Sequence, residues 1–177
     1  MARGVRGYAL ATADIERMGR DGLPVLPHQT LALRRAEAAL AKVSPEAVMD
    51  LRQALARQRG LAARIGQPEG LAAITKAMGE EGRVRRDPAL RAERFVETWT
   101  RLKTRQAQLT GPGNLLERRK IEARMTGLVG GLARDPEVET LLAGRRKDLG
   151  LTRGGMPGAG LGQQLMKVFT LGRGIDR

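Results

Sequence analysis

His28, between Pro27 and Gln29, is the only histidine, and the chain has no cysteine. One imidazole cannot form a histidine metal triad, and without thiols there are no disulfides, thiolate metal sites or cysteine nucleophiles. Beside Pro27, His28 reads as a turn or N-cap residue. The closely spaced carboxylates Glu93 and Glu97 lie among Arg94 and Arg101, Glu117 precedes Arg118-Arg119-Lys120, and Glu137 and Glu139 precede Arg145. On exposed helix faces such spacings give surface ion pairs rather than a general acid and base. Gly154-Gly155-Met156-Pro157-Gly158-Ala159-Gly160 lacks the following Gly-Lys-Ser/Thr of a phosphate-binding loop and no buried strand precedes it, so it reads as a linker. The expectation is a protein that is not an enzyme, with no cofactor, no metal and no small-molecule substrate.

Charge is the stronger signal. Lys and Arg number 32 against 19 Asp and Glu, a formal net charge of +13, and most of the cations are Arg. Guanidinium groups bind carboxylates and phosphates bidentately, so an acidic protein surface or nucleic acid is the expected partner. The candidate partner-binding residues are Arg83, Arg85 and Arg86, then Arg145, Arg146 and Lys147, then Lys167, Arg173 and Arg177. Phe95 and Trp99, one helical turn apart, have the geometry to stack nucleobases. In a chain whose other aromatics are Tyr8 and Phe169, they are expected instead to be core anchors with Leu102.

The elements that must position these groups are helices. The interior has to be built from Leu, Ala, Val, Ile and Met, which argues against a sandwich or barrel. A short helix is predicted over Thr12 to Met18, ended by Gly22, Pro24 and Pro27. The seven-residue recurrence of Leu26, Leu33 and Leu40, with Ala36 and Val43, predicts a helix from Pro27 to Val43. Ser44-Pro45 is a good N-cap and first residue for another that reaches about Ile65. Leu71, Ile74 and Met78 fit a further helix, weakened by Gly79 and Gly82. Phe95, Trp99, Leu102, Gln106 and Leu109 then alternate spacings of four and three, as do Ile121, Met125, Leu128 and Leu132 beyond the turn at Thr110-Gly111-Pro112-Gly113. A last helix carries Val138, Leu141, Leu142 and Leu149.

This pattern predicts an all-α fold, an up-and-down antiparallel helical bundle over about residues 45–149. The expected organisation is a basic N-terminal segment at 1–26, a helical lead-in at 27–66, a bundle core at 67–149, and a flexible, Gly-rich basic tail at 150–177. Within that tail, Gln163 to Leu171 is expected to become helical on docking. No apolar run has the length of a signal peptide or a membrane span, so the chain is expected to be soluble, cytoplasmic and not inserted in a membrane.

Arg86-Asp87-Pro88 and Arg134-Asp135-Pro136 repeat one tripeptide, each with Asp placed to cap and Pro placed to begin a helix. Two strings beside them, Arg91-Ala92-Glu93-Arg94-Phe95-Val96-Glu97-Thr98-Trp99 and Asp135-Pro136-Glu137-Val138-Glu139-Thr140-Leu141-Leu142, resemble the BID domain at the C-terminus of Ti-type (TraA-like) conjugative relaxases. Gly22-Leu23-Pro24-Val25-Leu26-Pro27-His28-Gln29 is similar to the stretch leading from the helicase-like region of those relaxases towards that domain, so the resemblance covers about residues 20–151. It implies an antiparallel four-helix bundle with a capping element. It also implies a type IV secretion or conjugation signal shown to the coupling protein, the ATPase at the channel entrance, in the donor cytoplasm and in some cases carried into the recipient. The nicking and helicase parts of such a relaxase have no counterpart here, and Tyr8 matches no nicking motif. The alternative expectation is a basic accessory protein that binds transfer DNA through its phosphates.

Overall fold

The structure, a computed structural model, describes residues 1–109, 111–151 and 160–171. Those residues form helices and turns and contain no strand: α1 (Ala2–Arg20), α2 (Pro27–Val43), α3 (Pro45–Arg57), α4 (Gly70–Arg86), α5 (Pro88–Gln108), α6 (Leu115–Leu132), α7 (Pro136–Ala143) and α8 (Leu161–Leu171), with 3₁₀ turns at Ala62–Gly66 and Pro112–Asn114. The fold is all-α. It divides into two compact units, Met1–Arg86 and Asp87–Arg177, each with a separate hydrophobic core. The boundary therefore lies at the first Arg-Asp-Pro and not at residue 67. The helices α3 and α4, expected to share a bundle with α5 to α7, bury their apolar faces in the same core as α1 and α2.

In the first unit α1 is far longer than the predicted Thr12–Met18 segment, because Val5, Tyr8 and Ala9 are buried and Gly4 and Gly7 serve as contact points rather than breaks. A Cβ on Gly4 would lie 3.1 Å from Leu40 Cδ1, and one on Gly7 would lie 3.9 Å from Ala36 Cβ. These pairs run in opposite order along the chain, so α1 and α2 are antiparallel. The seven-residue stripe of α2 is only partly used. Leu40 is fully buried and Leu33 and Ala36 pack at the margin, but Leu26 and Val43 are exposed because they sit at the two ends of the helix, beyond the contact with α1.

His28 lies exposed in the first turn of α2 and does not cap it; Gln29 does, its Oε1 accepting from the Leu26 amide at 2.8 Å. Gln29 Nε2 in turn donates to Asp14 Oδ2 at 2.6 Å and ties the hairpin together. Ser44 caps α3 by accepting from Ala47 N at 3.1 Å, as its sequence predicts. That helix stops at Arg57 rather than near Ile65, and Leu61, Ala62 and Ile65 reach the core from the 3₁₀ turn instead. α4 runs without interruption through Gly79 and Gly82. Gly82 sits where α3 crosses closely: an added Cβ would lie 2.9 Å from Asp50 Oδ2, and that carboxylate receives Arg85 Nε at 3.0 Å.

In the second unit most of the four-three pattern is buried: Phe95, Trp99 and Leu102 from α5 and Leu109 just past its end meet Ile121, Met125 and Leu132 from α6 and Val138 and Leu142 from α7, whereas Val129 is buried where the pattern had the half-buried Leu128, Gln106 is half-buried and Leu141 is exposed. α7 ends at Ala143. A turn then brings Leu149 and Leu151 into the core, with Gly150 at φ +74° and the Leu151 amide returning to the Arg146 carbonyl at 3.0 Å. Only glycine takes that backbone conformation cheaply.

The tail expected to be flexible is corrected over residues 161–171, which form α8. Leu161 and Leu165 are buried in the core, and Glu139 Oε1 accepts from the Leu161 amide at 2.9 Å, so a carboxylate from α7 supplies the N-terminal cap of α8. Replacing that carboxylate, Glu139→Ala, is expected to cost about 1 kcal/mol of α8 docking, with Glu139→Gln retaining most of it. Amide hydrogen exchange at residues 161–165 measures the difference. Residues 152–159 and 172–177 lie outside the described residues.

Candidate partner-binding surface

The helices that follow the two Arg-Asp-Pro tripeptides, α5 and α7, pack together in the second unit. Each Asp caps its helix: Asp87 Oδ1 accepts from Ala89 N at 2.8 Å and Leu90 N at 3.4 Å, and Asp135 Oδ1 accepts from Val138 N at 3.3 Å. Asp135 is also held by Arg91, whose Nε lies 2.7 Å from Oδ2 and whose second nitrogen lies 3.1 Å from Oδ1, a bidentate fork that extends to Glu137 at 3.0 Å. Further on, the indole of Trp99, stacked on Phe95 with centroids 6.3 Å apart, donates to the Leu149 carbonyl at 3.2 Å in the buried core. The contacts keep the same order in both segments, so the stretch from Asp135 to Leu149, α7 and the turn after it, advances along α5 in the same direction.

Local spacing does not single out Arg91, because its partners are 44 and 46 residues away. The only signal in the sequence is the repeated tripeptide itself. Arg91, together with the cap bond from Val138, holds the Asp135 carboxyl below the usual aspartate range. Because the folded value is depressed, the stabilisation is complete above the unfolded value of about 4 and is lost as pH falls through the folded one. Acid unfolding of the second unit should therefore show a loss of stability below about pH 4 that Asp135→Asn removes, measured as urea midpoints against pH.

The predicted partner-binding residues divide by accessibility. Arg83, Arg86 and Lys147 are exposed, as is Lys167 on α8. Arg85 is engaged within the first unit, with Asp50 at 3.0 Å and Glu46 at 2.9 Å. Arg145 pairs with Asp148 at 3.0 Å, and Arg146 donates to Gln164 of α8. Glu137 and Glu139 do not meet Arg145, as their sequence position suggested; they face Arg91 and the start of α8. Arg173 and Arg177 lie outside the described residues.

A second cationic group emerges only in the folded chain. Near the tip of the α5–α6 hairpin, Lys120 pairs with Glu117 at 2.8 Å, and Arg105 of α5 and Arg124 of α6 add to the field that holds the Glu117 carboxyl below its usual range. Glu117, half-exposed and paired only with Lys120 by contact, thus lies in the field of cations from two helices, next in sequence to the exposed Leu115 and Leu116. In sequence Glu117 has only its local neighbours, since the part played by Arg105 depends on how the hairpin closes.

Among the described residues no cluster of His, Asp and Glu is arranged to hold a metal ion, and no helix is long and apolar enough to cross a membrane. The one buried acid among them, Glu81, faces Arg57 Nε at 3.8 Å across α3 and α4. No family model, no curated protein and no solved structure matches the chain.

Proposed function

We propose that the chain is a non-catalytic type IV secretion and conjugation signal of the BID kind, which offers a basic surface to the coupling protein of a transfer machine. It acts as the C-terminal part of a relaxase or as a stand-alone remnant of one. The observation that carries this reading is the joining of the two resembling strings within one helical unit by the fork from Arg91 to Asp135 and Glu137, with Trp99 tied to Leu149 beyond the second string. Such a unit supplies a fixed shape for specificity. The exposed Arg83, Arg86, Lys147 and Lys167 supply the field that steers encounter with an acidic surface.

The test fuses the full chain to a site-specific recombinase in a donor cell with a cognate conjugation system and counts recombined recipients. Transfer is expected, and it should fall when Arg83, Arg86 and Lys147 are reversed to Glu. A folded, abundant fusion that is never transferred overturns the proposal, and transfer untouched by charge reversal removes the basic surface from it.

The cations converging from two helices around Glu117 favour, as a second reading, an accessory protein that grips nucleic-acid phosphates. That reading requires DNA affinity that falls steeply with salt and falls further in Arg105→Glu/Arg124→Glu.

A further inference from the structure

Leu116 is 66% exposed, the most open large apolar side chain among the described residues, and Leu115 beside it is 57% exposed. The two leucines open α6 at the tip of the α5–α6 hairpin, off the face that Ile121 and Met125 bury. A projecting pair of large apolar side chains marks a place where something other than water is met.

Positive charge is concentrated at the same place. Residues 101–124 hold seven Lys and Arg against two acids, Glu117 and Glu122. Glu117 is taken up by Lys120 at 2.8 Å, whereas Arg105, Arg119 and Arg124 are exposed and make no hydrogen bond or ion pair with a described residue. The helix also sets the order of these groups. Arg119 lies one turn beyond Leu115 and Lys120 one turn beyond Leu116, each on the same side of α6 as its leucine and about 6 Å further from the tip. Arg105 comes from α5 and acts on the same carboxylate as Arg124.

We propose that this tip is a peripheral contact with an anionic phospholipid bilayer, in which Leu115 and Leu116 enter the boundary of the acyl chains and the cations behind them meet lipid phosphates. Apolar first and cationic one turn later is the order in which a hairpin approaching end-on needs its groups, because the acyl layer lies beneath the phosphates. The charge complements an anionic surface, and cations from both helices surround the point of entry. Nucleic acid matches the cations alone: its phosphate backbone has no apolar layer, so the two leucines would stay in water. No described helix is long and apolar enough to cross a membrane, so the contact stays at the surface. It is independent of the secretion reading and competes with the DNA reading for the same cations.

The test sediments the full chain with vesicles of phosphatidylcholine alone and with vesicles that also contain phosphatidylglycerol, and titrates a DNA duplex in a parallel arm. Binding is expected to the anionic vesicles and not to the neutral ones. It should fall about tenfold or more in Leu115→Ser/Leu116→Ser and in Arg119→Gln/Arg124→Gln, and hold in Leu141→Ser, which removes an exposed leucine of α7. DNA affinity should follow the arginines and ignore the leucines. Absence of binding to anionic vesicles overturns the proposal, whether or not DNA binds. So does vesicle binding that the leucine pair does not alter, which would reduce it to the general attraction of a +13 chain. Circular dichroism of the variants, expected to match the parent because the replaced side chains are exposed, separates lost binding from lost fold.

Discussion

Replacing Trp99 by Ala should cost the second unit about 3–5 kcal/mol, enough to remove most or all of the stability of a small helical unit. The side chain is 1% exposed, stacks on Phe95 and gives its indole N–H to Leu149 O, so truncation removes buried area, a ring contact and a long-range hydrogen bond together. Trp99→Phe separates these contributions. It keeps most of the apolar volume but leaves the Leu149 carbonyl without its donor, and should cost about 1–3 kcal/mol. Because Trp99 is the only tryptophan, the measurement is urea unfolding followed by circular dichroism, with amide exchange over residues 88–151 to localise the loss. A Trp99→Ala protein with an unchanged midpoint would mean that the indole does not organise this core.

Gly70→Ala should be comparably severe in the first unit, at about 3 kcal/mol or more. The added Cβ would lie 1.7 Å from the Arg64 carbonyl oxygen, 2.5 Å from its carbon and 2.9 Å from Ile65 Cα. All three are main-chain atoms of the turn that carries Ile65 into the core, so no side chain can swing aside; either the turn or the start of α4 must move. Gly79→Ala, in the same helix, has the opposite sign. Nothing lies within 4 Å of its added Cβ, and removing a mid-helix glycine should stabilise by about 0.5–1 kcal/mol. Urea midpoints of the two variants should move in opposite directions. A shared direction would show that helix propensity, and not the close approach to Arg64, governs position 70.

These two positions also mark how far the sequence could be read. Trp99 was legible because α5 repeats apolar residues at spacings of four and three, begins with an Asp-Pro start and contains two of the few aromatics. Gly70 was not, because its constraint comes from the carbonyl of a residue six positions earlier, in a turn whose shape depends on the surrounding core. Glycine is a misleading signal throughout this chain. Gly4, Gly7, Gly79 and Gly82 look like helix breakers, yet all lie inside helices, where packing outweighs a penalty of about 1 kcal/mol each. The candidate site divides similarly. Asp87 and Asp135 were readable as caps, since capping is a local geometry of three or four residues. The Arg91 fork, the Glu139 cap on α8 and the group around Glu117 join residues far apart in sequence, and local spacing says nothing about them.

The sequence by itself determined the all-helical class, the starts of α2, α3, α5 and α7 and the identity of the Trp99 core, because periodicity, N-caps and proline placement act within a few residues. Only the tertiary structure decided that the chain divides at Arg86/Asp87, that α1 and α2 share a core with α3 and α4, and that residues 161–171 dock as α8. Each of those outcomes depends on which apolar faces find one another. An amphipathic helix shows in its sequence that it has a face to bury, but not against which partner, since Leu, Ala and Val stripes are nearly interchangeable until their shapes are brought together.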